Sequence, residues 1–199
     1  EFLDFFVHPV RFFCRYRLGV DLAAPEEIVD DNEPFSLEGL DRYLLESELL
    51  ELLVQKDNIE GQARLWKARG MLPHGKVGEI AVHELRNEVA QFYSLLAQHL
   101  APPLEPSLFR ISIDNFFLCG RIYTMTEQGV LYARPAWLKG RDLLRAWITH
   151  LIVHVMDREM PQRTVVVARD QTIVLGPVQE ARQLLEQLFA LFLRGRLAP

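Results

Sequence analysis

The stretch at residues 108–135 constrains the fold of this 199-residue chain more than any other part of it. Three runs rich in aromatic and β-branched residues are separated there by two short polar turns, Asp114-Asn115 and Glu127-Gln128-Gly129. The pattern predicts a three-stranded antiparallel meander. We expect Asn115 and Gly129 to take the positive φ angles of the two turns, because both residue types tolerate them.

Helices are predicted on both sides of the meander from caps, breakers and apolar spacing. Before it we expect helices at residues 9–18, 37–56 (largely buried, with Ser36 as N-cap), 59–69 and 79–100. After it we expect a helix at 141–156, a hairpin of strands 163–168 and 172–175, and a helix at 178–193 that stops before Gly195. The chain thus predicts an α+β fold, with a helical region at 1–101 packed on a mixed α/β region at 102–199.

Composition limits the classes of function. The net charge of −5 argues against nucleic-acid binding over the whole surface, although a local basic patch remains compatible with it. Two cysteines, Cys14 and Cys119, cannot build a disulfide framework or a zinc finger, which favours a reducing compartment. No apolar run reaches the length of a membrane span. The chain begins without Met or a signal-peptide pattern, and we interpret it as a piece of a longer protein.

Metal and cofactor motifs are weak. His83-Glu84-Leu85-Arg86-Asn87 lacks the second His of a zinc-protease helix, because Asn87 stands in its place. His150, His154 and Asp157 share a helical side and have metal-ligand spacing, but half-buried imidazoles at a polar helix edge are the favoured interpretation. No glycine-rich phosphate loop is present, and we expect neither a cofactor nor a metal.

Basic residues concentrate around the second and third predicted strands and the helix that follows. They are interleaved with two rings, Tyr132 and Trp137, and comprise Arg121, Arg134, Lys139, Arg141 and Arg145. Single-stranded nucleic acid favours this mixture, since cations bind phosphates and rings stack on bases. An ordinary solvated face is the alternative interpretation.

The predicted order α-β-β-β-α-β is that of the PD-(D/E)xK nuclease core. Several segments also resemble the C-terminal domain family of exodeoxyribonuclease V gamma subunits. They are Phe5-Phe6-Val7-His8-Pro9-Val10-Arg11-Phe12-Phe13 with Leu18-Gly19-Val20, Glu33 to Tyr43, Leu72-Pro73-His74-Gly75 with Gly78-Glu79-Ile80, and Arg134-Pro135 with Trp147 and His150-Leu151. The segments extend to about His150; beyond it the resemblance is one of pattern.

The resemblance implies a cytoplasmic, ATP-driven helicase–nuclease complex of bacteria that processes double-strand DNA ends for repair. The beta subunit of such a complex holds a motor and the nuclease, and the alpha subunit is a second motor. The gamma subunit has no working motor. Its C-terminal region looks like a nuclease fold without an active site, which helps to form a passage for single-stranded DNA, contributes to strand splitting and contacts the alpha subunit.

The residues of this chain agree with a lost active site. Active relatives bind Mg²⁺ through an Asp after a Gly-x-hydrophobic step and through Asp/Glu-x-Lys on the next strand. Here Tyr123 follows Gly120-Arg121-Ile122, and the second triplet reads Tyr132-Ala133-Arg134. Tyrosine is a poor Mg²⁺ ligand and arginine cannot act as a base. Active nucleases of the helicase-linked group also use a His on an early helix, and residues 37–56 hold none. They often have a Gln on the helix after the third strand, where this chain has Arg145. We therefore expect no catalytic residue.

Two other functions stay open. One is a metal-dependent DNA nuclease whose ligands, such as Asp114 and Glu127, have been relocated; their predicted positions at opposite strand ends weigh against it. The other is a domain that binds only proteins, which the acidic net charge favours.

Overall fold

The computed structural model describes residues 1–21, 36–57, 59–156 and 161–197. The chain divides into two compact units. One comprises Glu1–Ala23, His99–Arg134 and Leu138–Pro199, and the other Ala24–Gln98 with Pro135–Trp137. Within the described ranges, none of the helices has the length and hydropathy of a membrane span.

The smaller unit contains helices α3 (Gly39–Gln55), α4 (Ile59–Ala68) and α5 (Gly75–Leu96). The predicted apolar stripe of α5 is buried at Leu85, Val89, Phe92 and Leu96. Arg42 of α3 lies 3.1 Å from Glu46 and 2.6 Å from Glu88 of α5, so one guanidinium joins the two helices.

Three predictions for this unit are wrong. Helix α3 begins at Gly39 after Glu38, so Ser36 is not its N-cap. Leu40 and Leu44 are 70% and 48% exposed, and α3 is therefore buried along one side only, instead of around much of its circumference. Helix α5 begins four residues earlier than predicted, because Gly75 adopts a φ of 64° at the turn that starts it.

The larger unit contains both sheets. Its strands are β1 (Ser107–Ile113), β2 (Phe116–Ile122), β3 (Met125–Thr126), β4 (Gly129–Arg134), β5 (Thr164–Ala168) and β6 (Thr172–Leu175). Its helices are α1 (Phe2–Val7), α2 (Pro9–Tyr16), α6 (Gly140–Met156) and α7 (Ala181–Leu197). Strands β1 and β2 form a two-stranded antiparallel sheet, and the other sheet has the order β3-β4-β5-β6. The predicted α+β class with a mixed sheet is confirmed.

Helix α6 is the crossover between two parallel strands. Strand β4 pairs in parallel with β5, with Tyr132 opposite Val166. All five residues of β5 are buried, as expected for the inner strand of a sheet that is covered on both faces. The predicted hairpin of β5 and β6 across Asp170-Gln171 is confirmed.

The predicted three-stranded meander is wrong in one respect: its middle strand is broken. Strand β2 ends at Ile122, and the chain resumes as β3 at Met125 in the other sheet. The positive φ of the first turn falls on Asp114 (49°) and not on Asn115, whereas Gly129 has the predicted positive φ (115°).

The core of the larger unit lies between the inner face of the β1–β2 sheet and helices α1, α6 and α7. Rings of Phe2, Phe5 and Phe12 meet Phe192 of α7 edge to face at 5.5–6.0 Å. Gly195 does not stop the last helix as predicted. It lies inside α7, where a Cβ would be 2.4 Å from the ring of Phe5, so glycine permits the close contact.

Candidate nucleic-acid interface

Tyr132 and Arg134 project from β4 towards α6. They are two residues apart on one strand, and side chains at this spacing point to the same face of a sheet. The hydroxyl of Tyr132 lies 2.9 Å from Thr149 Oγ1, and Arg134 Nη1 donates to Asp142 Oδ1 at 2.8 Å. Both side chains therefore hold the strand to the crossover helix.

A cavity of about 340 Å³ opens beside this contact. Its walls are largely apolar, and its polar lining includes Arg121, Tyr123, Tyr132, Arg145 and Thr149. Glu1 supplies the one carboxylate that we find among the described lining residues, and its Oε1 lies 3.5 Å from Arg196. The cavity thus brings together two tyrosines and two arginines that the sequence singled out separately.

The other predicted site residues lie outside the cavity lining. Arg134 is bound to Asp142, and the backbone N–H of Lys139 donates to the second oxygen of that carboxylate at 3.0 Å. Arg141 is exposed one helical turn before Arg145. A ligand can therefore reach the side chains of Arg121, Arg141 and Arg145, whereas Arg134 is bound to Asp142 of α6.

Two further basic residues, His8 and Arg11, bear on the charge of this surface. Burial, and after it the positive charge of Arg11, lowers the pKa of His8. Arg141 and Arg145 act in the same direction, and Asp4 acts in the opposite one. His8 therefore lies within electrostatic range both of Arg11 and of the arginines on α6. Sequence reasoning missed both, because more than 120 residues separate them from α6 and only the fold brings them there.

The acidic residues of the alternative nuclease site are in turns of different hairpins. Asp114 lies between β1 and β2, whereas Glu127 lies between β3 and β4 and donates its backbone N–H to Pro102 O at 3.1 Å. In the part of the chain that the structure describes, no three His, Cys, Asp or Glu residues are grouped to hold a metal ion.

The two histidines of α6 are buried in the core and are not at a half-buried helix edge as predicted. Nε2–H of His150 donates to the carbonyl of Gly176 at 2.9 Å, so Nδ1 accepts from the hydroxyl of Thr164, also at 2.9 Å. Nδ1–H of His154 donates to His150 O at 2.8 Å. Both nitrogens of His150 are thus engaged, which leaves it no free lone pair for a metal. Asp157 lies outside the described residues.

The fold and the cavity define a class of protein: an α+β domain with a β-α-β crossover, in which the inner strand β4 carries Tyr132 and Arg134. The sequence model of the RecC C-terminal domain matches residues 1–199, and the chain belongs to this family. The resemblance seen in the sequence is confirmed.

Curated relatives agree with the family. The chain is 31% identical over 148 residues to the RecBCD enzyme subunit RecC of Escherichia coli K12, which covers 74% of this chain and 13% of that protein. It is 27% identical over 187 residues to the subunit of the same name in Haemophilus influenzae, which covers 89% of this chain and 16% of that protein. The chain therefore matches only about one seventh of the length of these relatives.

Proposed function

We propose that this domain is a non-catalytic, nuclease-like part of a bacterial helicase–nuclease complex that repairs double-strand breaks. It guides single-stranded DNA and docks the beta and alpha subunits, RecB and RecD, in the cytoplasm. Support for the complex comes from the RecC family and from relatives named as RecBCD subunits.

The observation that carries the proposal is the lining of the cavity beside β4 and α6. Tyr123 and Tyr132, at the positions where the nuclease resemblance requires acids, both line the cavity, and so does Arg145. Neutral phenols bind Mg²⁺ poorly and a guanidinium repels it. The same guanidinium attracts phosphate oxygens, so these side chains favour DNA over a metal ion.

The charge around the cavity supports the same conclusion. Arg11, Arg141 and Arg145 have no carboxylate partner among the described residues, and after burial, which is the largest cause, their positive charges lower the pKa of His8. Unpaired arginines are the usual phosphate ligands of nucleic-acid-binding surfaces. This surface is locally cationic although the chain as a whole carries a net charge of −5.

Charge reversal tests the DNA contact. Arg121→Glu, Arg141→Glu and Arg145→Glu are combined in the full-length protein, assembled with its partner subunits. We expect weaker binding of an oligothymidylate, and a salt dependence whose logarithmic slope falls by about 0.7 for each lost phosphate contact. Fluorescence anisotropy at several KCl concentrations measures both.

A matched control carries the same change in charge elsewhere. Arg64, Lys67 and Lys76 are exposed in the smaller unit, and their reversal to Glu should leave oligothymidylate binding unchanged. Equal affinity of the wild type and the first triple variant would contradict the proposed DNA contact.

The absence of catalysis has its own test. The purified full-length chain, free of its partner subunits, is incubated with DNA and Mg²⁺ or Mn²⁺, and we expect no cleavage. Cleavage that persists through purification and is lost in Asp114→Ala or Glu127→Ala would establish the relocated-ligand nuclease instead.

A further inference from the structure

The outward side of the β1–β2 sheet, here called the outer ribbon face, is exposed. It consists of Leu108, Arg110, Ser112, Phe117, Cys119, Arg121 and, directly after β2, Tyr123. The opposite side packs into the core through Ile111, Ile113, Leu118 and Ile122. This division follows from strand alternation, because successive side chains point to opposite faces of a sheet.

Each of the two arginines on the outer ribbon face is paired with an aromatic ring. The guanidinium carbon of Arg110 lies 3.9 Å from the centroid of the Phe117 ring, across the strands. That of Arg121 lies 5.9 Å from the ring of Tyr123. Such contacts hold the rings in place at a surface where Phe117 is 58% and Tyr123 is 69% exposed.

The charge of the outer ribbon face favours an anionic ligand. Strands β1 and β2 contain no acidic residue, and neither Arg110 nor Arg121 has a carboxylate partner among the described residues. Arg121 and Tyr123 also line the cavity that Arg145 reaches, so the face continues into the cationic surface on α6.

We propose that the outer ribbon face is a stacking platform for single-stranded DNA, with bases on the rings of Phe117 and Tyr123 and phosphates on Arg110 and Arg121. Six residues at the usual rise of ~3.3 Å place the two rings about 20 Å apart along the strand, so each ring receives a different base. The proposal rests on the DNA contact proposed above and gives it a position and a chemistry.

Ring removal tests the platform in the full-length protein, assembled with its partner subunits. Phe117→Ala and Tyr123→Ala should each weaken binding of an oligothymidylate about 5- to 150-fold, the range that base–aromatic stacking gives. The salt slope should not change, since no phosphate contact is lost. Phe117→Trp and Tyr123→Trp should retain the affinity.

Leu40→Ala is the matched control, because Leu40 is an apolar residue that is also 70% exposed but belongs to α3 and not to the outer ribbon face. It should leave oligothymidylate binding unchanged. Alkylation of Cys119, followed by peptide mass spectrometry, gives a second measurement: the oligothymidylate should protect Cys119 from the reagent and leave Cys14, which is not on this face, as reactive as before.

The outcomes separate this proposal from the function on which it rests. If charge reversal at Arg141 and Arg145 weakens binding but the alanine variants do not, the platform is wrong and the phosphate contact stands. If neither set changes the affinity, both are wrong. If Leu108→Ala and the ring variants alike impair subunit assembly with unchanged DNA affinity, the face docks a protein and the platform is overturned.

Discussion

Gly129 occupies a crowded backbone position at the start of β4 in the mixed sheet. Its φ is 115°, and a Cβ there would lie 2.2 Å from the carbonyl oxygen of Arg163. That carbonyl accepts the N–H of Val130 at 2.9 Å, so it cannot move away without loss of the bond. The turn pattern predicted the positive φ, but the approach of the chain at Arg163 is a tertiary contact that no local pattern reveals.

Gly129→Ala should therefore destabilise the protein by about 2 to 6 kcal/mol, the sum of backbone strain and overpacking. Thermal unfolding measures the change. Gly140→Ala is the control, because a Cβ at Gly140 meets nothing within 4 Å, and it should be neutral or slightly stabilising. Equal melting temperatures of the two variants would show that Arg163 does not restrict position 129.

At the scale of elements, Asp142 fixes the start of α6. Its carboxylate accepts from the backbone N–H of Lys139, three residues earlier, in the manner of a capping box, and from the guanidinium of Arg134 on β4. One side chain thus caps the helix and holds it to the sheet. The side chains of Asp142 and Arg134 are only 21% and 18% exposed, so solvent screens this pair less than a surface ion pair.

Asp142→Ala should cost about 1 to 3 kcal/mol, since it removes the cap and leaves a half-buried guanidinium without this carboxylate. Urea denaturation monitored by circular dichroism gives the value. Asp41→Ala, which removes a carboxylate from the first turn of α3, is the control and should cost only a few tenths of a kcal/mol. A loss at Asp142 no larger than at Asp41 would refute this role.

The sequence pattern did not predict the break between β2 and β3 in the middle strand. Pro106 precedes β1 and has no N–H for a ladder bond, so β2 loses its partner after Ile122. The chain at Pro102–Leu104 pairs with β3 instead, since Leu104 N donates to Met125 O at 3.0 Å. Strand existence was predictable from side-chain alternation, whereas the break depended on prolines outside the predicted strand.

At the scale of the whole molecule, the protonation of His150 makes the unfolding free energy depend on pH. Burial lowers the pKa of His150, the neighbouring His154 lowers it further, and the bond to Gly176 O opposes both. An unfolded histidine titrates near pH 6.5, so below that pH the unfolded chain binds a proton that the folded chain does not. The contribution of His150 to the unfolding free energy is therefore fully present above about pH 6.5 and is lost as the pH drops towards the folded pKa.

Unfolding free energies measured between pH 8 and 5 should show this loss. His150→Gln should flatten the dependence on pH, whatever its effect on stability at pH 8, because the titrating group is gone. His83→Gln, which removes an exposed imidazole and keeps His150, is the control. Parallel curves for the wild type and His150→Gln would exclude His150 as the source.

The candidate site was predictable only in part. Arg121, Arg141 and Arg145 follow from a local concentration of charge within 25 residues of sequence. His8 and Arg11 could not be predicted, because α1 and α2 reach α6 through tertiary packing. Arg134 was predicted as a contact residue, but a sequence cannot show that Asp142 binds its guanidinium.

On the function proposed above, the bonds of Tyr132 and Arg134 to α6 also oppose the return of a nuclease site. Replacing Tyr132 with the acid of an active nuclease would remove the hydroxyl that bonds Thr149, and replacing Arg134 with its lysine would alter the ion pair with Asp142. Every such reversion would weaken the junction of strand and helix before a metal could bind and compensate. For a domain that has lost a nuclease site, as proposed above, the stability of this junction selects against a return to catalysis.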